Sequence, residues 1–183
     1  MKVLFFSDIH GSPNSLALLS ERIRELSPDQ LILLGDIFLT YGQAQPERPS
    51  SRLQVAAYLN RWAKIMLAVR GNCDRDTDQK RLDFPILAEH RTLRLDGRLF
   101  FLSHGHYWNP GHLPPQGTTD ILVNGHTHIP QLYQSEEGLV FFNPGSLALP
   151  RENYPPSFGF YADQTLSVFR LDGSTEPLLS LAL

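Results

Sequence analysis

Cysteine is almost absent: Cys73 is the one such residue in 183, which excludes an internal disulfide and fits a reducing compartment. Charge of either sign is barely in excess, with 16 basic and 19 acidic residues leaving −3 at neutral pH. That balance argues against a broad basic surface for tracking nucleic acid, so no extended nucleic-acid partner is expected. No apolar stretch approaches the roughly 18 residues of a membrane span, and the first apolar run stops at Ser7-Asp8, too early for the core of a secretory signal. A soluble, cytoplasmic protein with no membrane partner is expected. Internal repeats and low-complexity tracts are also missing. At 42% hydrophobic content the chain can bury one sizeable core, and residues 1–183 are expected to form a single domain.

What the chain does have is a series of apolar runs that end in residues able to bind a divalent metal. Val3 to Phe6 leads into Ser7-Asp8-Ile9-His10-Gly11, Leu31 to Leu34 into Gly35-Asp36, and Ile65 to Val69 into Arg70-Gly71-Asn72-Cys73-Asp74. Leu99 to Leu102 leads into Ser103-His104-Gly105-His106, and Ile121 to Val123 into Asn124-Gly125-His126-Thr127-His128. Short apolar runs bounded by Gly and polar residues read as buried strands, and in open α/β sheets ligands bind beyond the strands' carboxyl ends. Strand ends on one rim would bring these polar residues to one site.

The donors so offered are Asp8, His10, Asp36, Asn72, His104, His126 and His128, oxygen and imidazole groups with no thiolate necessarily among them. Such a set suits Mn²⁺, Fe, Zn²⁺ or Mg²⁺. It exceeds what one small ion needs once water or substrate also binds, whereas two ions sharing one carboxylate would use it all. A dinuclear centre is the economical reading. Asp8 with His10, and His126 with His128, stand at i and i+2, a spacing that puts both side chains on one face of an extended segment. The adjacent Gly11, Gly35, Gly71, Gly105 and Gly125 allow sharp turns or close approach. Singly, each donor has an ordinary structural explanation: a helix cap for an Asp, a left-handed turn for Asn72, a satisfied core histidine for the others. Their joint occurrence favours the metal site.

The first half of the chain reads as βαβαβ. Ser12-Pro13 is an N-cap followed by proline at the first helical position, with Leu16, Leu19, Ile23 and Leu26 at helical spacing. A second helix is expected from Ser51 to Trp62, with Leu53, Ala56, Leu59 and Trp62 on one face. From about residue 84 strands and tight turns take over. Asp96-Gly97 and Asp172-Gly173 signal hairpins, Glu137-Gly138 another turn, and the runs Leu139 to Phe142, Phe158 to Ala162 and Leu166 to Leu171 supply strands. Two sheets stacked face to face, with helices outside at least one, would bury these faces. Two long segments, Thr40 to Arg52 and Gly105 to Asp120 with its Tyr107, Trp108 and His112, are expected to wall the substrate pocket.

The blocks Asp8-x-His10, Gly35-Asp36, Gly71-Asn72-x-Asp74, His104-Gly105-His106 and Gly125-His126-x-His128, in that order and with Asn143-Pro-Gly-Ser146 after them, closely resemble the calcineurin-like metallophosphoesterase superfamily. The likeness covers almost the whole chain and is strongest to small single-domain bacterial and archaeal phosphodiesterases. It implies an α/β four-layer αββα sandwich, two stacked mixed β-sheets flanked by helices. It also implies two divalent ions, Mn²⁺ first, with Ni²⁺, Co²⁺, Zn²⁺, Fe or Mg²⁺ as substitutes. Carried over position by position, it puts Asp8, His10, Asp36 and His128 around one ion and Asp36, Asn72, His104 and His126 around the other, with Asp36 as bridge. A homodimer or higher homo-oligomer is implied too.

Two ions about 3.5–4 Å apart can generate a hydroxide that attacks phosphorus in line, while Asn72 and His104 act as catalytic residues stabilising charge on the phosphoryl oxygens. Asp74 is expected to fix a ligand or its loop, and His106 to contact substrate or line the loop. Arg70 and Arg151 are candidates for a phosphate oxygen. Cys73 departs from the family pattern, since many members carry histidine after this asparagine, and that histidine is thought to protonate the leaving group. Activated leaving groups should therefore be favoured. The leading expectation is a phosphodiesterase acting on small diesters. A phosphomonoesterase or phosphoprotein phosphatase is the nearest alternative, and a non-catalytic protein-binding module, the use a retromer subunit makes of this fold, is the third.

Overall fold

The computed structural model of the chain describes residues 1–39, 49–115, 117 and 119–183. Its first half alternates as expected: β1 (Val3–Phe6), α1 (Pro13–Leu26), β2 (Gln30–Leu33), α2 (Pro49–Asn60) and β3 (Met66–Ala68). Strands then dominate: β4 (His90–Leu95), β5 (Arg98–Ser103), β6 (Ile121–Val123), β7 (Gln131–Gln134), β8 (Val140–Asn143), β9 (Ser157–Ala162), β10 (Thr165–Arg170) and β11 (Pro177–Ala182). Helix α1 starts where Ser12 Oγ accepts the Ser15 amide at 3.3 Å and Pro13 needs no partner for a missing N–H. It ends at Ser27, whose left-handed backbone lets its amide reach the Ile23 carbonyl.

The strands form two mixed sheets. One runs β11-β10-β9-β1-β2-β3 and the other β4-β5-β6-β8-β7. Each has a parallel centre, β1-β2-β3 in the first and β5-β6-β8 in the second, edged by antiparallel strands. Between the sheets lies a core of Val3, Phe5, Ile32, Leu34, Phe100, Leu102, Ile121, Val123 and Phe142, with the Phe5 and Phe142 rings meeting edge to face at 5.2 Å. Burying each such side chain contributes roughly 1.5–3 kcal/mol. Alternate residues of β1 and β2, Leu4, Phe6, Leu31 and Leu33, face the other way and pack with Leu16, Leu19 and Ile23 of α1 and Val55, Ala56 and Leu59 of α2. Strands buried on both faces thus read as unbroken apolar runs.

The α/β sandwich is present, with both helices outside the first sheet. On the second sheet the outer layer, among the described residues, is not a helix: Phe101, Leu122 and Phe141 are covered by Trp108 and Leu139. Leu53 departs from the face expected of α2, being 66% exposed, because Val55, Ala56 and Leu59 set the inward stripe and 53 falls behind it. Trp62, just beyond the helix, does pack on that core. The Asp96-Gly97 and Glu137-Gly138 turns lie where expected, and Gly97 and Gly138 both have positive φ. The β9–β10 turn was not signalled, since Asp163 and Gln164 take left-handed conformations without a glycine. No helix among the described residues is long and apolar enough to cross a membrane.

Candidate metal centre

The parallel strands β1, β2, β3, β5 and β6 point their carboxyl ends to one rim, and the residues that follow each strand meet there. The chain bends sharply after each strand. Asp8, His10, Asp36, His126 and His128 all have positive φ, between 45° and 67°, a region that residues with a Cβ seldom enter. The two i, i+2 pairs therefore converge through successive left-handed turns, not through the extended segment expected from spacing. Glycine serves close approach elsewhere. A Cβ on Gly71 would lie 2.2 Å from Asp36 Oδ1, and one on Gly125 would lie 2.0 Å from Ser7 Oγ and 2.9 Å from Asp8 Oδ2.

Asp8, buried to 0% exposure, stands at the centre of the first group of donors. His128 Nε2 is 3.2 Å and His10 Nε2 3.7 Å from its Oδ1, an oxygen that is buried and accepts no hydrogen bond. The imidazoles are held from behind by carbonyls. His10 Nδ1 donates to Leu39 O at 2.6 Å, His128 Nδ1 to Leu149 O at 2.6 Å, and His104 Nδ1 to Leu34 O at 2.7 Å. These bonds put a proton on Nδ1 of each ring and turn Nε2 toward the carboxylates, where its lone pair serves a cation whenever that nitrogen carries no proton. His10 and His128 bring those lone pairs within 3.3 Å of each other, an arrangement that a cation between them would relieve.

Asp36 faces two ways. Its Oδ2 lies 3.8 Å from His10 Nε2, while its Oδ1 lies 3.5 Å from His104 Nε2 and accepts the Cys73 amide at 2.9 Å. His104 Nε2 also stands 2.9 Å from Asn72 Oδ1. His126 packs its ring on that of His104, centroids 5.1 Å apart, and its amide donates to Asp8 Oδ2 at 3.1 Å. Asp8 with His10 and His128, Asp8 with Asp36 and His104, and His10 with Asp36 and Cys73 each form a cluster whose donor atoms lie within 4.8 Å of one another. Oxygen and imidazole donors, an orphaned carboxylate oxygen and facing lone pairs fit divalent ions. The third cluster adds Cys73 as a softer donor.

Electrostatics agree. Burial would raise the Asp8 carboxyl, but the imidazoles of His10 and His128 beside it hold it far below the usual carboxylate range. Burial pulls His10 down, yet Asp8, the Leu39 carbonyl and Asp36 hold it above its ordinary value, the mark of a negative potential where the ring nitrogens converge. Burial and the neighbouring His104 keep His126 and His106 below theirs, so both rings stay neutral at pH 7.

Asp74 touches no donor of the clusters. Its carboxylate accepts the amides of Asp36, Ile37 and Gly71 at 3.0, 2.8 and 2.8 Å, tying the β2 and β3 ends together. Burial raises its pKa, those amides oppose the rise, and Asp36 adds to it. Asn143 to Ser146 has a comparable duty that spacing did not reveal. Asn143 Nδ2 donates to Gly125 O and Thr127 Oγ1, and Ser146 Oγ donates to Asp8 O and accepts the Leu149 amide. Nor could sequence point to the carbonyls of Leu34, Leu39 and Leu149, since every residue carries one.

A cleft of about 340 Å³ opens over His10, Asp36, Asn72, Cys73, His126 and His128, with Leu149 and Arg151 on its lip. Arg70 is engaged elsewhere, 3.1 Å from Asp76. His106 lies beside the centre, its ring 5.5 Å from His104 and 6.2 Å from His126. His90 stacks on Phe101 and His112 lies tilted against Trp108. Of the segments expected to wall the pocket, Gly105 to Trp108 lines a second cleft beside His104, whereas the Thr40 to Arg52 expectation falls, up to residue 48, outside the described residues.

The family model described as calcineurin-like phosphoesterase superfamily domain matches residues 1–164. Phosphodiesterase YfcE of Escherichia coli K12 is 40% identical over 174 residues, 94% of this chain and 93% of that protein. The solved structure of Yfce, a phosphoesterase from E. coli, superposes with a TM-score of 0.91 at 37% identity, covering 100% of this chain and 99% of that one. Vacuolar Protein Sorting 29 from Cryptosporidium parvum shares the fold alone, at TM-score 0.67 and 20% identity over 100% of this chain and 98% of that one.

Proposed function

The chain belongs to the calcineurin-like phosphoesterase superfamily, a family of metal-dependent hydrolases, and from that premise we propose that it is a phosphodiesterase acting on small diesters at a dinuclear centre. The observation that carries the reading is the Asp36 carboxylate, whose two oxygens face the His10 side and the His104 side separately. Asp8, His10, Asp36 and His128 would hold one ion, and Asp36, Asn72, His104 and His126 the other. Bound ions would supply Lewis acidity, polarising a phosphoryl oxygen and acidifying a water for attack, and Mn²⁺ is the first choice for this donor set.

The protein's own groups set the rest. The Nδ1 bonds to main-chain carbonyls hold His10, His104 and His128 in one orientation. Asn72 Oδ1 rests on His104 and its Nδ2 donates one N–H to Cys73 Sγ at 3.4 Å, leaving the second N–H as a donor toward a phosphoryl oxygen. Arg151 stands on the lip of the cleft with no carboxylate in ion-pair range among the described residues, so its guanidinium is available to the same phosphate. Cys73 lines this cleft as well. A thiol is a poorer proton donor to an alkoxide than an imidazolium, so a diester with a good leaving group should turn over fastest. Cys73→His should raise hydrolysis of an alkyl diester, and no gain would count against a missing acid.

The test is hydrolysis of a chromogenic diester against the matching monoester by metal-stripped protein, with Mn²⁺, Mg²⁺, Zn²⁺, Ni²⁺ or Co²⁺ restored singly, beside Asp36→Asn. Diester turnover that needs the ion and falls roughly a thousandfold in the variant supports the proposal. A preference for the monoester favours a phosphomonoesterase. Silence with every ion favours a binding module on the same fold.

A further inference from the structure

The second cleft, about 250 Å³, shares His104 with the metal centre and is lined by Ser103, Gly105, His106, Tyr107, Trp108 and Glu89. His104 and His106, which line it, pack their rings on His126, which lines the first. Its aromatic wall is rigid. Ser103 Oγ donates to Trp108 O, Asn109 Nδ2 to Gly105 O, and His112 Nδ1 to Tyr107 O. Trp108 is braced edge to face against Phe101 and Tyr107 and lies tilted against His112. Yet Tyr107, whose ring meets Trp108 and His112, remains 56% exposed.

We propose that this cleft seats an uncharged aromatic arm of the diester, the one retained on phosphorus while the other leaves; the inference rests on the phosphodiesterase reading. A cavity of about 150 Å³ suffices for benzene, so the cleft takes one substituted ring against the edge-to-face pair of Tyr107 and Trp108 that lines it. The Arg151 and Cys73 side of the centre is left for the departing arm. Glu89, at the mouth, repels an anionic ring and accepts from a ring bearing a donor group. The centre is thus flanked by two unlike subsites, which a diester can fill and a monoester cannot.

The measurement compares phenyl p-nitrophenyl phosphate with methyl p-nitrophenyl phosphate on Mn²⁺-loaded protein. Nitrophenolate leaves from both, so the ratio of kcat/KM reads the retained arm. The phenyl ester should lead by about tenfold, chiefly through KM; Tyr107→Ala should bring the ratio near one, and Tyr107→Phe should keep it. Discrimination against a 4-carboxyphenyl arm should shrink a few-fold in Glu89→Gln. A ratio untouched by both Tyr107→Ala and Trp108→Leu overturns the proposal while leaving diester hydrolysis standing. If neither ester reacts, it is the phosphodiesterase reading that has failed. Titrating methyl phenylphosphonate against Trp108 fluorescence in Trp62→Phe then decides the cleft: saturable quenching lost in Tyr107→Ala supports it, and no quenching overturns it.

Discussion

The two sheets contribute to the centre in different currencies. The first supplies the fixed negative charge, Asp8 and Asp36, on turns locked by buried hydrogen bonds and covered outside by two helices. The second supplies His104, His126 and His128, and on its outer face Trp108 of an aromatic loop and Leu139 pack against the sheet. The first side is over-determined: Asp74 alone collects three amides. On the second side His104 and His128 are each steered by one carbonyl bond, Asn143 braces the turn after β6, and an aromatic-lined cleft lies beside them. Charge must be placed rigidly because two buried carboxylates repel each other until cations arrive, whereas recognition of an ester arm can be left to a loop packed on the outside.

That contrast can be broken most severely at Gly71. Gly71→Ala would drive a Cβ against Asp36 Oδ1 and the Asp36 amide, displacing the carboxylate proposed to bridge the two ions. Calorimetric titration should show loss of at least one ion and near-complete loss of diester hydrolysis. A milder blow is Asp74→Asn, which keeps the shape but turns one acceptor oxygen into a donor facing amides. Metal affinity should fall about 10–100-fold, with unfolding in urea shifted to lower concentration. An equal effect from Asn109→Ala, which loosens only the second sheet's loop, would erase the distinction between the two sides.

The smallest effect is expected far from the centre, where Tyr161 of β9 donates to Asp96 in the β4–β5 turn and joins the sheets. Burial and Asp96 push the Tyr161 phenol up to about 12. The folded state therefore favours the protonated ring, so this contribution is whole below pH 10 and is lost as pH rises from about 10 to about 12. Tyr161→Phe should cost about 1 kcal/mol by urea titration at pH 7 and flatten the alkaline part of the stability profile, with hydrolysis unchanged.

Much of this was legible in the chain. Runs buried on both faces announced the parallel strands, and the Ser12-Pro13 cap announced α1. Local signals failed where a neighbour decides. Leu53 has helical spacing to Ala56, but which stripe faces inward depends on where the sheet lies. Asp163 and Gln164 turn without glycine because the β9–β10 pairing holds them. Leu178, Leu179 and Leu181 of β11 are half-buried because pairing with β10 brings this edge strand against the core between the sheets.

The sequence by itself determined which donors exist, that each follows a strand, and hence that they meet on one rim, because strand direction and strand-end chemistry are local properties. Only the tertiary structure decided that Asp36 would face both groups, that three imidazoles would present Nε2, and that Trp108 would cover a sheet and open a cleft. His10 and His128 are 118 positions apart; no local pattern can set the 3.3 Å between their nitrogens, which exists only once two sheets have stacked and excluded water between them.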